Sequence, residues 1–437
     1  MTEPLGHIVV LHRWRDRHAH YADYIDHDAY RVSYVTTELG RVSVPAGAAA
    51  VVIVPATDSL TGTDAAMAEL VERFGPVRHL VALNEGDLDT AAALRASFGL
   101  PGQNTEELAR FRDKLAMVTV VDKAGIRVPR YADVDGPESI RRFGERHGWP
   151  VVVKPRRGTA SRGVMVVRGP ADPDDPAFGE APAEPCIVQS FVADPVFHID
   201  GLWTGTQLGP WRASRYVNSC RDFTEGTFLG SVEVDDCELR SSLEQFTASV
   251  AAALGEGRPW VFHLEAFVGT GPDGAPRLTF LEAGARVGGG EIPFVWREVH
   301  GLDLMAAAVD IQLNRPPTVP AVPVDPPGSD DPAGADRAGG TAGWLLVPVP
   351  VPTPCRVVEV TLPPGSADSG GNPYAHVVPE PGAVIPRTGG YEHVAARFRF
   401  RGASSREVEA AIEKTAQGFR MRCEALPVRL PQPSKEV

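Results

Sequence analysis

No apolar run in this chain approaches the roughly 20 residues that a helix needs to cross a bilayer. The most apolar stretch, Ala48 to Ala56, is far shorter, so no membrane partner is expected. The start of the chain has no basic segment followed by an apolar one, and no secretory signal is expected. Cysteine is scarce: five residues, Cys186, Cys220, Cys237, Cys355 and Cys423, lie far apart with no CxxC pair. An odd, scattered set does not build a disulfide framework or a zinc knuckle, and it suits the reduced thiols of a cytoplasmic protein. Positive charge is also short: 43 Lys and Arg face 56 Asp and Glu, for a net charge of −13. That balance excludes a nucleic-acid partner, because phosphate backbones need clustered cations. The GxGxxG fingerprint is missing, so no dinucleotide site is read.

What is present is enough chain, 437 residues, for two to four domains. The first hundred residues alternate strand-like runs (His7–His12, Arg31–Thr36, Ala50–Ala56, His79–Glu85) with helical periodicity (Asp64–Phe74, Leu88–Phe98). This predicts a small parallel α/β domain. Asn104 to Gly125 reads as helical, with Asn104 and Glu107 spaced as a capping box. Two stretches, Gly169–Pro185 and Arg315–Gly343, are rich in Pro with Asp, Gly or Ala and read as surface loops. A last lobe, Trp344 to about Leu426, holds β-like runs (Arg356–Leu362, Val394–Phe400) and a helix-like segment (Ser405–Gly418).

A glycine-bearing loop lies between two β-like runs, Trp149–Lys154 and Gly163–Arg168. Gly158 and Gly163 are spaced as in a Walker A loop, but Val164 follows where that motif needs Lys and then Ser or Thr. The lysine, Lys154, comes before the loop instead. A strand–loop–strand flap whose amides approach phosphate oxygens fits this order. A mobile hairpin carrying an exposed lysine fits the segment equally well.

The paired glutamates carry the stronger signal. Two β-like runs, Trp260–Val268 and Arg277–Ala283, flank Asp273-Gly274, a two-residue hairpin signal. A turn centred there sets Glu265 directly opposite Glu282. Like charges so placed repel by up to about 1 kcal/mol unless a cation lies between them. Magnesium held by two carboxylates and substrate phosphates reverses the sign. Two solvated glutamates on an exposed strand pair is the alternative, and one bulge residue would change the register. Next comes Arg286, followed by Gly288-Gly289-Gly290. Arg286 can clamp a phosphate or carboxylate; a glycine-rich turn before a helix is the plainer reading. Near the start, His18, His20, Asp23, Asp26, His27 and Asp28 fit no metal-ligand spacing. With Arg13, Arg15 and Arg17 beside them they read as a solvated segment, with a role in substrate binding or dimer contact left open.

Taken in order, these pieces resemble the ATP-grasp superfamily and, within it, the carboxylate–amine (L-amino-acid) ligases. The resemblance covers about Asn104 to Leu304. It rests on Arg112-Asp113-Lys114, then Val151 to Pro155 with the glycine loop. A strand from Ile187 to Val192 follows, then His263-Leu264-Glu265, then Leu281-Glu282-Ala283-Gly284-Ala285-Arg286. It implies an ATP-grasp α/β fold with α+β lobes. The expected divisions are an N-terminal Rossmann-like domain (1–103), a small flap subdomain (104–186), a central metal-site subdomain (187–314), a linker (315–343) and a C-terminal lobe (344–437).

The resemblance also implies roles. Lys114 and Lys154 are the expected ATP-phosphate lysines, and Gly158, Ser161 and Gly163 the phosphate flap. Gln189, Phe191 and Val192 are the expected adenine hinge. Glu265 and Glu282 are the expected ligands for magnesium, or manganese in its place. Arg286 is expected to steady the reacting phosphoryl and acyl groups, with Arg215 as a second contact. Relatives commonly carry an acid at Gln189, a ribose-binding Glu at Val196 and an Asn at Gly284; His198 or Asp200 is the expected substitute at the ribose. The implied reaction joins a small-molecule acid to an amine through an acyl phosphate, releasing ADP, with amino acids or short peptides as the substrates and a homodimer as the assembly. An acceptor on a carrier protein or another specialised scaffold, a phosphotransferase, and a nucleotide-binding regulator without turnover are the alternatives.

Overall fold

The computed structural model describes residues 5–15, 18–159, 161–169, 184–317, 340–363, 372–386 and 394–427. Most of the predicted linker Arg315–Gly343, most of the loop Gly169–Pro185, and Arg17 lie outside them; the end of that linker, from Thr341, is strand. The chain forms two compact units. The first is built from Met1–Ser214, Asp236–Gly288 and Gly301–Ser329, the second from Arg215–Asp235, Gly289–His300 and Asp330–Val437.

The first unit opens on strands β1 (His7–His12), β2 (Arg31–Thr36), β3 (Ala50–Ile53) and β4 (Val77–Ala82). They pair in parallel in the order β3-β2-β1-β4. All six residues of β1 are buried, as a central parallel strand covered on both faces requires. Helices Leu60–Phe74 and Leu88–Phe98 connect and follow these strands. The expected helix after Asn104 is two helices. Thr105–Arg112 starts on the capping box of Asn104 and Glu107, and Lys114–Lys123 starts afresh on Asp113. Asp113 breaks the run because its carboxylate accepts from the Leu115 and Ala116 amides, which is capping geometry.

A second sheet of the unit joins β5 (Tyr131–Val134), β6 (Val151–Pro155), β7 (Met165–Val167) and β8 (Cys186–Ser190) in the order β5-β8-β6-β7. Ile140 and Phe143 of helix Pro137–His147 cover it, packing on Val151, Val153, Val167 and Val188. The third carries β9 (Val196–Trp203) and β10 (Leu208–Tyr216). It also carries the hairpin of β12 (Trp260–Thr270) and β13 (Pro276–Gly284), while β11 (Leu229–Glu233) belongs to the second unit. Within this unit its order is β13-β12-β9-β10.

In the second unit, β11 heads the order β11-β14-β18-β16, with β14 (Thr341–Val347), β16 (Ala375–Val377) and β18 (Ala396–Gly402). A smaller sheet sets β15 (Cys355–Thr361) between β17 (Val384–Ile385) and β19 (Arg420–Ala425). Helix Ser405–Gly418 buries Val408, Ala411 and Ile412 against Leu345, Phe398 and Phe400.

One close approach in the flap subdomain gives a test. A Cβ on Gly144 would stand 2.2 Å from Cζ2 of Trp149, so helix Pro137–His147 lies on the indole only because that residue is glycine. Gly144→Ala should cost about 1–3 kcal/mol of stability, read as a lower midpoint in urea unfolding. An unchanged midpoint would contradict this packing.

Candidate functional site: a phosphate and metal centre on one sheet face

Residues directly opposite one another in a sheet share a face. β12 is paired with β9 on one side and β13 on the other. One cross-strand row reads His198, Glu265, Glu282, and the next reads Asp200, His263, Gly284. Both expected metal ligands therefore stand on one face of three adjacent strands.

They arrive there by a different route from the expected one. The turn is centred on Asp273 rather than between Asp273 and Gly274, which shifts the pairing by one residue: the Gly271 amide donates to the Ala275 carbonyl at 2.7 Å and the Gly274 amide to the Gly271 carbonyl at 3.0 Å. Gly274 takes φ +86°, the left-handed position of a three-residue hairpin loop. Near the turn Ala266 faces Phe280, so an unbroken ladder would set Glu265 against Leu281. A bulge between Glu265 and Ala266 absorbs Leu281 and brings Glu265 opposite Glu282.

The two lysines come to this face from separate elements. Lys114 opens helix Lys114–Lys123; its Nζ donates to the Gly158 carbonyl at 3.0 Å and lies 3.6 Å from Oε2 of Glu282. Its placement is fixed by Asp113, which takes a fork from Arg156 (2.6 and 3.0 Å), while the Lys114 amide donates to the Arg156 carbonyl. Lys154 is buried on β6. Burial pushes its pKa down to about 8; Glu282 opposes that and Lys114 adds to it. The flap turns through Ser161 at φ +54° and Gly163 at φ +72°, and a Cβ on Gly163 would press on Pro155 at 2.9 Å.

Arg286 is held by a residue the sequence reading passed over. Its Nε and Nη2 donate to Oε2 of Glu85 at 2.7 and 2.5 Å, while Arg112 Nη1 takes Oε1 at 2.6 Å. Burial would raise the Glu85 pKa, but Arg286 and Arg112 outweigh it and hold the carboxyl below its ordinary value. Glu85 was findable: it follows the carboxyl end of β4, where open α/β sheets place functional groups. His263 was findable too, since it precedes Glu265 by two on one strand and so shares its face.

Several expectations need correction. His198 and Asp200, expected at the ribose, are each only 2% exposed. Both Asp200 oxygens accept hydrogen bonds, from His198 Nδ1 at 2.6 Å and His263 Nδ1 at 2.8 Å, within a buried triad. Burial alone would raise the Asp200 pKa; His263 and His198 hold it far below. Gln189 lies inside β8 with its backbone shared between β5 and β6, and the Phe191 amide donates to the Pro150 carbonyl at 3.3 Å. Gln189 offers no backbone group to a base edge, and Phe191 only its carbonyl. The Val192 amide has no backbone partner among the described residues. Arg215 falls in the second unit, in an ion pair with Glu409 at 2.7 Å, and we leave it out of the site. His18, expected on a solvated segment, is buried and stacks on Trp14. Among the described residues, His198, Asp200 and His263 are the only group spaced to hold a metal on imidazoles, and none of the six residues His18–Asp28 joins such a group.

Two opposed carboxylates suit a hard cation that prefers oxygen, and two ammonium groups beside a glycine flap suit its phosphates. The fold, with this arrangement on it, is an ATP-grasp fold. Comparison with known proteins agrees. No family model matches the chain. It is 26% identical over 340 residues to the L-arginine-specific L-amino acid ligase of Bacillus subtilis, covering 74% of this chain and 75% of that protein. The L-amino acid ligase of Bacillus licheniformis superposes with a TM-score of 0.68 at 17% identity, over 96% of this chain and 99% of that one. The biotin carboxylase domain of the Hydrogenobacter thermophilus 2-oxoglutarate carboxylase, solved with magnesium ADP and bicarbonate, gives 0.62 at 13% identity, over 97% and 92%. The chain is similar to ATP-dependent ligases. No helix among the described residues is long and apolar enough to cross a membrane.

The buried lysine predicts a pH dependence. Its pKa is lowered to about 8, and a phosphate beside it would bind its charged form. Affinity for ATP should therefore hold below about pH 8 and fall by up to about tenfold per unit above it. Lys154→Arg, charged throughout, should flatten the profile. Titration of ATP binding against pH checks this; a wild-type profile flat through pH 9 would contradict it.

Proposed function

We propose that the protein joins the carboxylate of one amino acid or short peptide to the amine of another, forming an amide while ATP becomes ADP and phosphate. The observation that carries this reading is Glu265 opposite Glu282 on a face flanked by Lys114 and Lys154, with Arg286 four residues beyond Glu282. Amino acids as substrates are supported by the resemblance to ligases named for them.

A carboxylate does not acylate an amine in water. ATP supplies a phosphoryl group that makes it an acyl phosphate, and attack by the amine then expels phosphate. In this reading Glu265 and Glu282 would hold magnesium, which would neutralise phosphate charge. Lys114 and Lys154 offset phosphate charge as it shifts from one oxygen to another. Lys154 is dry, so its attraction is stronger than in water, and its pKa rises when a phosphate arrives. Gly158, Ser161 and Gly163 form the cover that keeps water from the acyl phosphate. Val192 reads the adenine edge. Arg286 meets the acyl oxygen with the Nη hydrogens not committed to Glu85 or to the Val287 carbonyl. The domain divisions at 103, 186 and 314 fit this reading as a substrate-side α/β domain, a flap subdomain and a metal subdomain.

The test is product analysis. With ATP, magnesium and pooled amino acids, the wild type should release ADP and phosphate and yield a condensed mass. Glu282→Gln should lower that rate by at least about a hundredfold with its fold intact. AMP and pyrophosphate as products would overturn the mechanism. Full activity in Glu282→Gln would overturn the metal assignment.

A further inference from the structure

Arg13 stands just beyond the carboxyl end of β1, and the function above does not use it. In the first sheet β1 is the reversal point of strand order, with β2 on one side and β4 on the other. The crevice outside the strand ends at such a point is where open α/β sheets bind ligands. The partners of Arg13 all come from that edge. Its Nε donates to Asp87 Oδ1 at 3.0 Å and to Thr57 Oγ1 at 3.1 Å, and its Nη2 also contacts Asp87. Gly86 lies against the guanidinium: a Cβ there would stand 3.1 Å from Nη1 and 3.3 Å from Cζ.

Asp87 is fully buried, and a buried ion pair is costly to desolvate where an apolar pair would serve packing as well. What Asp87 and Thr57 give Arg13 is direction. One edge of the guanidinium is fixed, and Nη1 on the other has no acceptor among the described residues, with the side chain 26% exposed. Asp58, 51% exposed, lies 3.2 Å from Nη2. It is the exposed counter-ion with which an incoming anion competes. The turn Glu85–Asp87 then has two acidic ends. Asp87 holds Arg13 and Glu85 holds Arg286, so one short turn fixes both guanidinium groups.

We propose that Arg13 binds the free carboxylate of the amine-side substrate, which makes that substrate an amino acid or peptide rather than an amine lacking an acid group. The proposal rests on the ligase reading, in which the activated acid gives up its own carboxylate and only the amine-side one survives. A planar fork at a fixed angle is the group that recognises a carboxylate in two contacts.

The test compares L-amino acids with the matching amino-acid amides as amine-side substrates, in ADP release by the full chain with magnesium and ATP. The wild type should favour the free acid. Arg13→Met should raise the KM for the acid about ten- to a hundredfold while leaving the amide unchanged. Arg13→Lys, which keeps the charge without the fork, should fall between. Asp58→Asn, an exposed change that leaves the buried pair whole, should lower the KM for the acid a few-fold. Equal use of acid and amide by the wild type, or a preference that survives Arg13→Met in a folded variant, would overturn the proposal. If no amine supports ADP release, the ligase reading has failed on its own account. Calorimetric titration with the same acids and amides then decides the site: acid-selective binding lost in Arg13→Met supports it, and its absence overturns it.

Discussion

The site depends on one electrostatic conflict: two carboxylates, Glu265 and Glu282, placed face to face across a hairpin. Left alone, the pair repels, and nothing in β-sheet packing asks for it. The structure nevertheless brings it about through a bulge that absorbs Leu281. It surrounds the pair with cations from different parts of the chain. Lys114 comes from a helix that Asp113 restarts, and Lys154 from a strand of another sheet. The charges balance only in part, and the remaining demand is for a cation that prefers oxygen and the phosphates it brings.

A second layer of charge surrounds the first. Glu85 grips Arg286 and Arg112, Asp89 grips Arg112 and Arg157, and Asp200 joins His198 to His263. His263 Nε2 lies 3.8 Å from Glu265, so the row of paired glutamates is backed by the row of His263 and Asp200 beside it. Partly buried guanidinium and carboxylate groups of this kind fix one another in orientation more than they add stability. The orientation is what the chemistry needs, because a phosphoryl group in transit requires fixed positive charge rather than a tight grip on the starting state.

Much of this was legible in the sequence. β1, β2 and the helices Leu88–Phe98 and Ser405–Gly418 occupy the ranges their periodicity predicts, because each is bounded by a local signal. The glutamate pair was legible through hairpin arithmetic that succeeded by compensation: the loop shifts the pairing by one residue from the expected turn, and a bulge makes up the difference. A bulge obeys packing against neighbouring strands, and its position cannot be read from residue types. The polar roles were less legible. His198 and Asp200 looked like ligand-facing groups, yet their partner His263 lies on another strand, and only the sheet register reveals the buried triad. Glu85 escaped notice because its partners, Arg112 and Arg286, are far away along the chain.

The central claim is that this site transfers a phosphoryl group to a carboxylate oxygen. The direct measurement uses an amino acid labelled with oxygen-18 in its carboxylate and follows the label by mass spectrometry. The account predicts that the inorganic phosphate released carries one labelled oxygen, left behind when the amine displaces it from the acyl carbon. Label in AMP, or condensed product formed alongside phosphate that carries none, would contradict it.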